Sequence, residues 1–139
     1  MKYLVDTNVI SEIRKPNCHP SVRRWQETVS SADLYLSVLV VGEIARGIAR
    51  LRARDPRQAA VFEDWLERLR IGYADRLLPV TDAVAVEWGR MSFPDPLPTV
   101  DGLLAATAKV YGMTLVTRNT KDFPPGVPVL NPFEEGPSF

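Results

Sequence analysis

Residues 2–12 read KYLVDTNVISE. Tyr3, Leu4 and Val5 make an apolar run suited to a short buried strand, and the run stops on a bare carboxylate, Asp6. Beyond it Ile10 and Ile13 fall at helical spacing, with Thr7 placed to cap a helix that ends before Pro16. The stretch is therefore expected to form a strand, a turn and a helix, with one acid at the junction.

The same unit recurs along the chain. Pro20 and Ser21 can start a short helix carrying Val22, Trp25 and Val29, and residues 34–36 (LYL) read as a second strand. Ser37 can cap a long helix over about 38–54, and Pro56 breaks it before another over about 57–70. Residues 76–80 are a third strand candidate, followed by a helix capped by Thr81 or Asp82. Residues 93–98 carry three prolines in six positions, which excludes regular structure. Thr99 is placed to cap a helix over 100–111 that Gly112 ends, residues 114–116 read as the fourth strand, and residues 128–130 as a fifth at a sheet edge. Short, wholly apolar strands alternating with helices indicate an α/β fold whose mainly parallel sheet is covered on both faces. The chain is expected to form a single domain over 1–133 with a tail, 134–139.

Composition narrows the function. Seventeen basic residues balance 17 acidic ones, so any nucleic-acid contact has to be local rather than spread over the surface. Arg46, Arg50, Arg52, Arg54 and Arg57 supply one such local patch, suited to RNA phosphates, to an acidic protein segment or to plain solvation at a helix end. Cys18 is the only cysteine, so an internal disulfide is excluded and a reducing, cytoplasmic setting is expected. No apolar run approaches the roughly 18 residues that a membrane span needs. Trp25, Trp65 and Trp88 read as core or dimer contacts, and His19 as a surface residue.

In an open parallel sheet, ligands bind outside the carboxyl ends of the strands. Asp6, Ser37 and the run Thr117-Arg118-Asn119, with Asp122 three residues on, all follow strands. Two further acids lie in otherwise apolar helices, Glu43 in VLVVGEIARGI and Asp101 in TVDGLLAATA. Singly each has an ordinary explanation: a turn residue for Asp6, an ion pair with Arg46 or Arg50 for Glu43, the helix dipole for Asp101. Gathered at one edge, they would repel one another unless a cation stood between them, and oxygen ligands without a His or Cys cluster select Mg²⁺ or Mn²⁺ over Zn²⁺. Such a site suits hydrolysis of a phosphodiester by metal-activated water. Nucleotide-binding glycine motifs and a serine-hydrolase motif are both missing. An aspartyl-phosphate phosphatase also places an aspartate after its first strand, but wants a second acid where this chain has Asn8.

Taken together, LVDTNVISE, VVGEIARGI, VDGLLAATA and VTRNTKDF resemble the PIN-domain ribonucleases, and within them the VapC-like toxins of type II toxin–antitoxin pairs, over residues 2–132. The resemblance implies a three-layer α/β/α sandwich and Mg²⁺-dependent endonucleolytic cleavage of RNA, with Mn²⁺ able to substitute. It implies Asp6, Glu43 and Asp101 as metal-site acids. Asp122 is the fourth catalytic acid in a lesser role, because Asn119 stands where many relatives carry an aspartate. Asn8, Thr117 and Asn119 become polar partners that orient the carboxylates. A cognate antitoxin and a toxin homodimer are the implied protein partners. A PIN-like binding module without the metal is the alternative that Asn119 leaves open.

Overall fold

The computed structural model describes residues 1–134. A five-stranded, wholly parallel sheet has the order β3-β2-β1-β4-β5, formed by β1 (Tyr3–Val5), β2 (Leu34–Ser37), β3 (Leu77–Leu78), β4 (Thr114–Val116) and β5 (Val129–Leu130). Helices α1 (Thr7–Ile13) and α2 (Pro20–Thr28) join β1 to β2, α3 (Val38–Arg52) and α4 (Pro56–Gly72) join β2 to β3, and α5 (Asp82–Met91) and α6 (Thr99–Tyr111) join β3 to β4. The first two crossovers move along the sheet in one direction and the third returns past β1 in the other. Because parallel crossovers are right-handed, the two sets of helices cover opposite faces, which gives the expected α/β/α layers. The order reverses between β1 and β4, so the crevice of this sheet opens at their carboxyl ends.

The central strands are the core. Leu4, Val5, Leu115 and Val116 are fully buried, flanked by Val9 and Ile10 of α1, Val40 and Ile44 of α3, and Leu104, Ala105 and Ala108 of α6. Where a strand is covered on both faces every side chain must be apolar, which is why these strands show no alternation. The tryptophans lie at the margins of this core: Trp25 meets Tyr3 edge-on at 5.6 Å between ring centroids, Trp65 packs beside Phe62, and Trp88 lies against Gly102.

Several helix ends follow the sequence and two do not. Ser37 caps α3, Asp55 with Pro56 opens α4, Thr81 caps α5, and Gly112, in the left-handed region at φ 65°, closes α6. The cap of α1 is Asp6 rather than Thr7, which is already helical. Pro98, which offers no side-chain acceptor, precedes α6, and Thr99 is the first helical residue. Exposed His19 caps α2 through Nδ1, which accepts from Ser21 N at 3.2 Å. Strand β3 is shorter than the expected 76–80. There the Arg76 guanidinium donates to the carbonyls of Leu34 and Gly72, both at 2.9 Å, clamping the end of α4 onto the start of β2. Of the expected tail, only Glu134 lies among the described residues; its carbonyl accepts from Ser21 Oγ at 2.9 Å. No helix among these residues is long and apolar enough to cross a membrane.

Candidate active site

The register of β1 on β4 builds the centre of the site. Leu4 pairs with Leu115 and Val5 with Val116, so the next residues on each strand, Asp6 and Thr117, emerge side by side into the crevice. Asp6 is 6% exposed, and both its carboxylate oxygens are engaged. Oδ1 accepts from Thr7 N at 2.7 Å and Oδ2 from Thr117 Oγ1 at 2.8 Å. The Thr117 hydroxyl in turn accepts from Asn119 N at 3.2 Å and from Asn8 Nδ2 at 3.5 Å. Asn8 Oδ1 accepts from Arg118 N at 3.2 Å, so one amide ties the first turn of α1 to the loop leaving β4.

Glu43 joins from α3. The Thr7 hydroxyl donates to its Oε1 at 2.7 Å, in place of the ion pair with Arg46 or Arg50 that would have been its ordinary explanation. Thr7 is thus the neighbour of Glu43 that the sequence disguised. Its position after a strand made it read as a helix cap, and only the approach of α3 to α1 reveals the second role.

Asp101 lies in the first turn of α6, where the helix dipole favours an anion. Its carboxyl is nevertheless held above the ordinary value of 3.8, by burial and then by the charges of Asp6 and Asp122. Desolvation and two like charges outweigh the dipole, which contributes roughly 0.3–1 kcal/mol at a surface position. Asp122 is exposed at the end of a single 3-10 turn, Thr120–Asp122, and its charge reaches Asp101. Asn119 hydrogen-bonds to the set through its backbone N–H.

The expected gathering is therefore partial. Asp101 feels the charges of Asp6 and Asp122, and Glu43 is linked to Asp6 through Thr7. Among the described residues no three His, Cys, Asp or Glu side chains converge into a ready-made cation cage. The donors still fit a hard divalent cation: every one is an oxygen, and like charge at Asp101 is unrelieved by any basic side chain. Beside Glu43 a groove of about 290 Å³ runs between α1, α3 and α4. Ile44, Ile48, Leu51, Phe62 and Trp65 form its apolar walls and Arg54 stands on its rim. Of the other arginines near the end of α3, Arg52 pairs with Glu63 of α4.

The family model of the PIN domain matches residues 3–124. The chain belongs to the PIN-domain family. Within that family this PIN domain is VapC-like. It is 32% identical to toxin FitB of Neisseria gonorrhoeae over 95% of the chain and 99% of the relative. It is 30% identical to the VapC ribonuclease Y4jK of Sinorhizobium fredii over 94% of the chain and 97% of the relative. A solved structure of FitAB bound to an IR36 DNA fragment superposes with a TM-score of 0.86 at 31% identity, covering 99% of each chain. The PIN domain described here thus falls in a family of toxin ribonucleases.

Proposed function

We propose that this PIN domain is a Mg²⁺-dependent endoribonuclease and the toxin of a type II toxin–antitoxin pair, working in the cytoplasm as one nuclease domain over residues 1–133. The reading rests on Asp101, a carboxyl pushed upward beside Asp6 at the switch point of the sheet, with Asp6 oriented by a buried hydroxyl. When bound, Mg²⁺ would supply neutralising charge at the scissile phosphate and lower the pKa of the attacking water. Asp6, Asp101 and Glu43 are the residues that would hold it. Thr117 and Thr7 orient two of those carboxylates through hydrogen bonds to Asp6 Oδ2 and Glu43 Oε1, and Asn8 braces Thr117. Asp122 adds negative charge on the exposed side, and Asn119 contributes its N–H to the Thr117 hydroxyl.

The FitAB assembly supports a cognate antitoxin as one protein partner, and a second copy of the toxin is proposed as the other. The apolar groove that ends at Glu43 suits an antitoxin segment whose apolar side chains lie along α3 and α4. The test is cleavage of single-stranded RNA by the purified chain. Cleavage is expected with Mg²⁺ or Mn²⁺ and is lost on chelation. Asp6→Asn and Asp101→Asn should each lose more than the roughly 10- to 100-fold typical of outer partners of a metal site. Equal cleavage by these variants and the parent would overturn the reading.

A further inference from the structure

A second pocket, of about 250 Å³, adjoins the acids and is lined by Arg118, Asn119, Thr120, Lys121, Asp122 and Glu134. It shares Asp122 with the group of acids, and the charge of Asp122 reaches Asp101. Arg118 is held there at three points. Its N–H donates to Asn8 Oδ1 at 3.2 Å, its carbonyl accepts from Asn131 Nδ2 at 3.4 Å, and its guanidinium lies over the Phe133 ring at 4.4 Å from the centroid. Asn8 also bonds the hydroxyl that orients Asp6, so the position of Arg118 is coupled to that of the carboxylate. Among the described residues no carboxylate forms an ion pair with Arg118 or Lys121, although Asp122 and Glu134 share the pocket.

A guanidinium stacked on a ring keeps its in-plane N–H groups free and has already lost much of its rotamer freedom. That is the state best suited to grip a planar or tetrahedral oxyanion. Lys121 adds a mobile point charge on the same wall. Two cations beside a group of acids make little sense for one ligand of one sign. They make sense for a strand whose scissile phosphate meets the acids while a neighbouring phosphate meets the bases.

We infer that Arg118, assisted by Lys121, binds a phosphate flanking the scissile bond, making this pocket a subsite that reads the RNA backbone rather than the bases. The inference deepens the ribonuclease reading and rests on it. Contacts to phosphate fix the register of a strand without selecting its sequence.

The test is binding of a fluorescein-labelled single-stranded RNA oligomer, read by anisotropy over a series of KCl concentrations in an Asp101→Asn background that binds without cutting. Each phosphate contact on a single strand contributes about 0.7 to the slope of log K on log salt. Arg118→Gln should lower that slope by about 0.7 and Arg118→Gln with Lys121→Gln by about 1.4. Arg118→Lys should restore the slope. In the active parent background Arg118→Gln should raise KM with little change in kcat. An unchanged slope and affinity in the double variant overturns the inference. So does a variant that loses thermal stability and kcat while keeping the slope, since Arg118 would then only brace Phe133. If the parent itself cleaves no RNA with Mg²⁺, the ribonuclease reading fails instead, so the two failures are distinct.

Discussion

At the scale of the residue, Asp101 carries a cost that folding alone does not require. Its pKa is raised in the folded chain, so protonation favours the native state. The contribution is complete below the ordinary value of 3.8 and is lost as pH rises through the raised value. At neutral pH and without a cation, ionised Asp101 therefore destabilises the fold. Asp101→Asn is expected to melt a few degrees above the parent at pH 7 in chelator. The gap should close as the pH falls below 3.8, and thermal denaturation across pH checks both halves. The same variant should be inactive, so stability and function trade against one another at one atom. Thr117→Val tests the opposite case. Removing a buried hydroxyl that donates to Asp6 and accepts from Asn119 should cost about 1–3 kcal/mol, by denaturant melts, and lower cleavage about 10- to 100-fold. Asn119→Ala, by contrast, should leave cleavage near the parent rate, because the contact of Asn119 with the site is made by its backbone N–H.

Among the elements, α6 decides where Asp101 stands. Gly102 follows it directly, and a Cβ there would meet the Trp88 indole of α5 at 3.0 and 3.1 Å, tighter than an ordinary contact. Lys109 also pairs with Glu87 at 2.8 Å, fixing the two helices along their length. Gly102→Ala should cost about 1–3 kcal/mol by overpacking and displace the adjacent carboxylate. The expected result is a lower melting temperature together with a kcat loss, whereas Gly42→Ala, with nothing within 4 Å of the added Cβ, should retain kcat. Element ends also show where local signals ran out. A hydroxyl before an apolar run marks a helix start, but at α1 the strand delivers the Asp6 carboxylate itself to the capping position. At α6 the fixed φ of Pro98 sets the entry with no capping bond.

For the whole molecule, the site is a product of sheet order. A reversal between β1 and β4 opens the crevice, and the residues that follow those two strands meet in it. If the acids hold Mg²⁺, the native state gains free energy that the unfolded chain does not share. The melting temperature of the parent should rise with Mg²⁺ concentration, while that of Asp101→Asn should stay flat. A parent that does not respond would count against a resident cation. The five strands, the alternation with helices and the placing of Asp6 and Thr117 after strands were all legible, because periodicity and chain breaks are local properties. The acids were legible as anomalies, carboxylates standing in apolar surroundings.

Partners were another matter. Asp6 and Thr117 are 111 residues apart, and Thr7 and Glu43 are 36 apart. Such contacts depend on strand register and on which helix packs against which, and neither is encoded by local propensity. By itself the sequence determined a parallel α/β domain with acids at the carboxyl edge of its sheet. Only the tertiary structure decided that Glu43 answers to Thr7 rather than to an arginine, that Asp122 and not the side chain of Asn119 presses on Asp101, and that Arg118 is anchored beside them. The physical reason is that electrostatic and hydrogen-bonding energies fall off over a few ångströms, and distances of that size are set by packing.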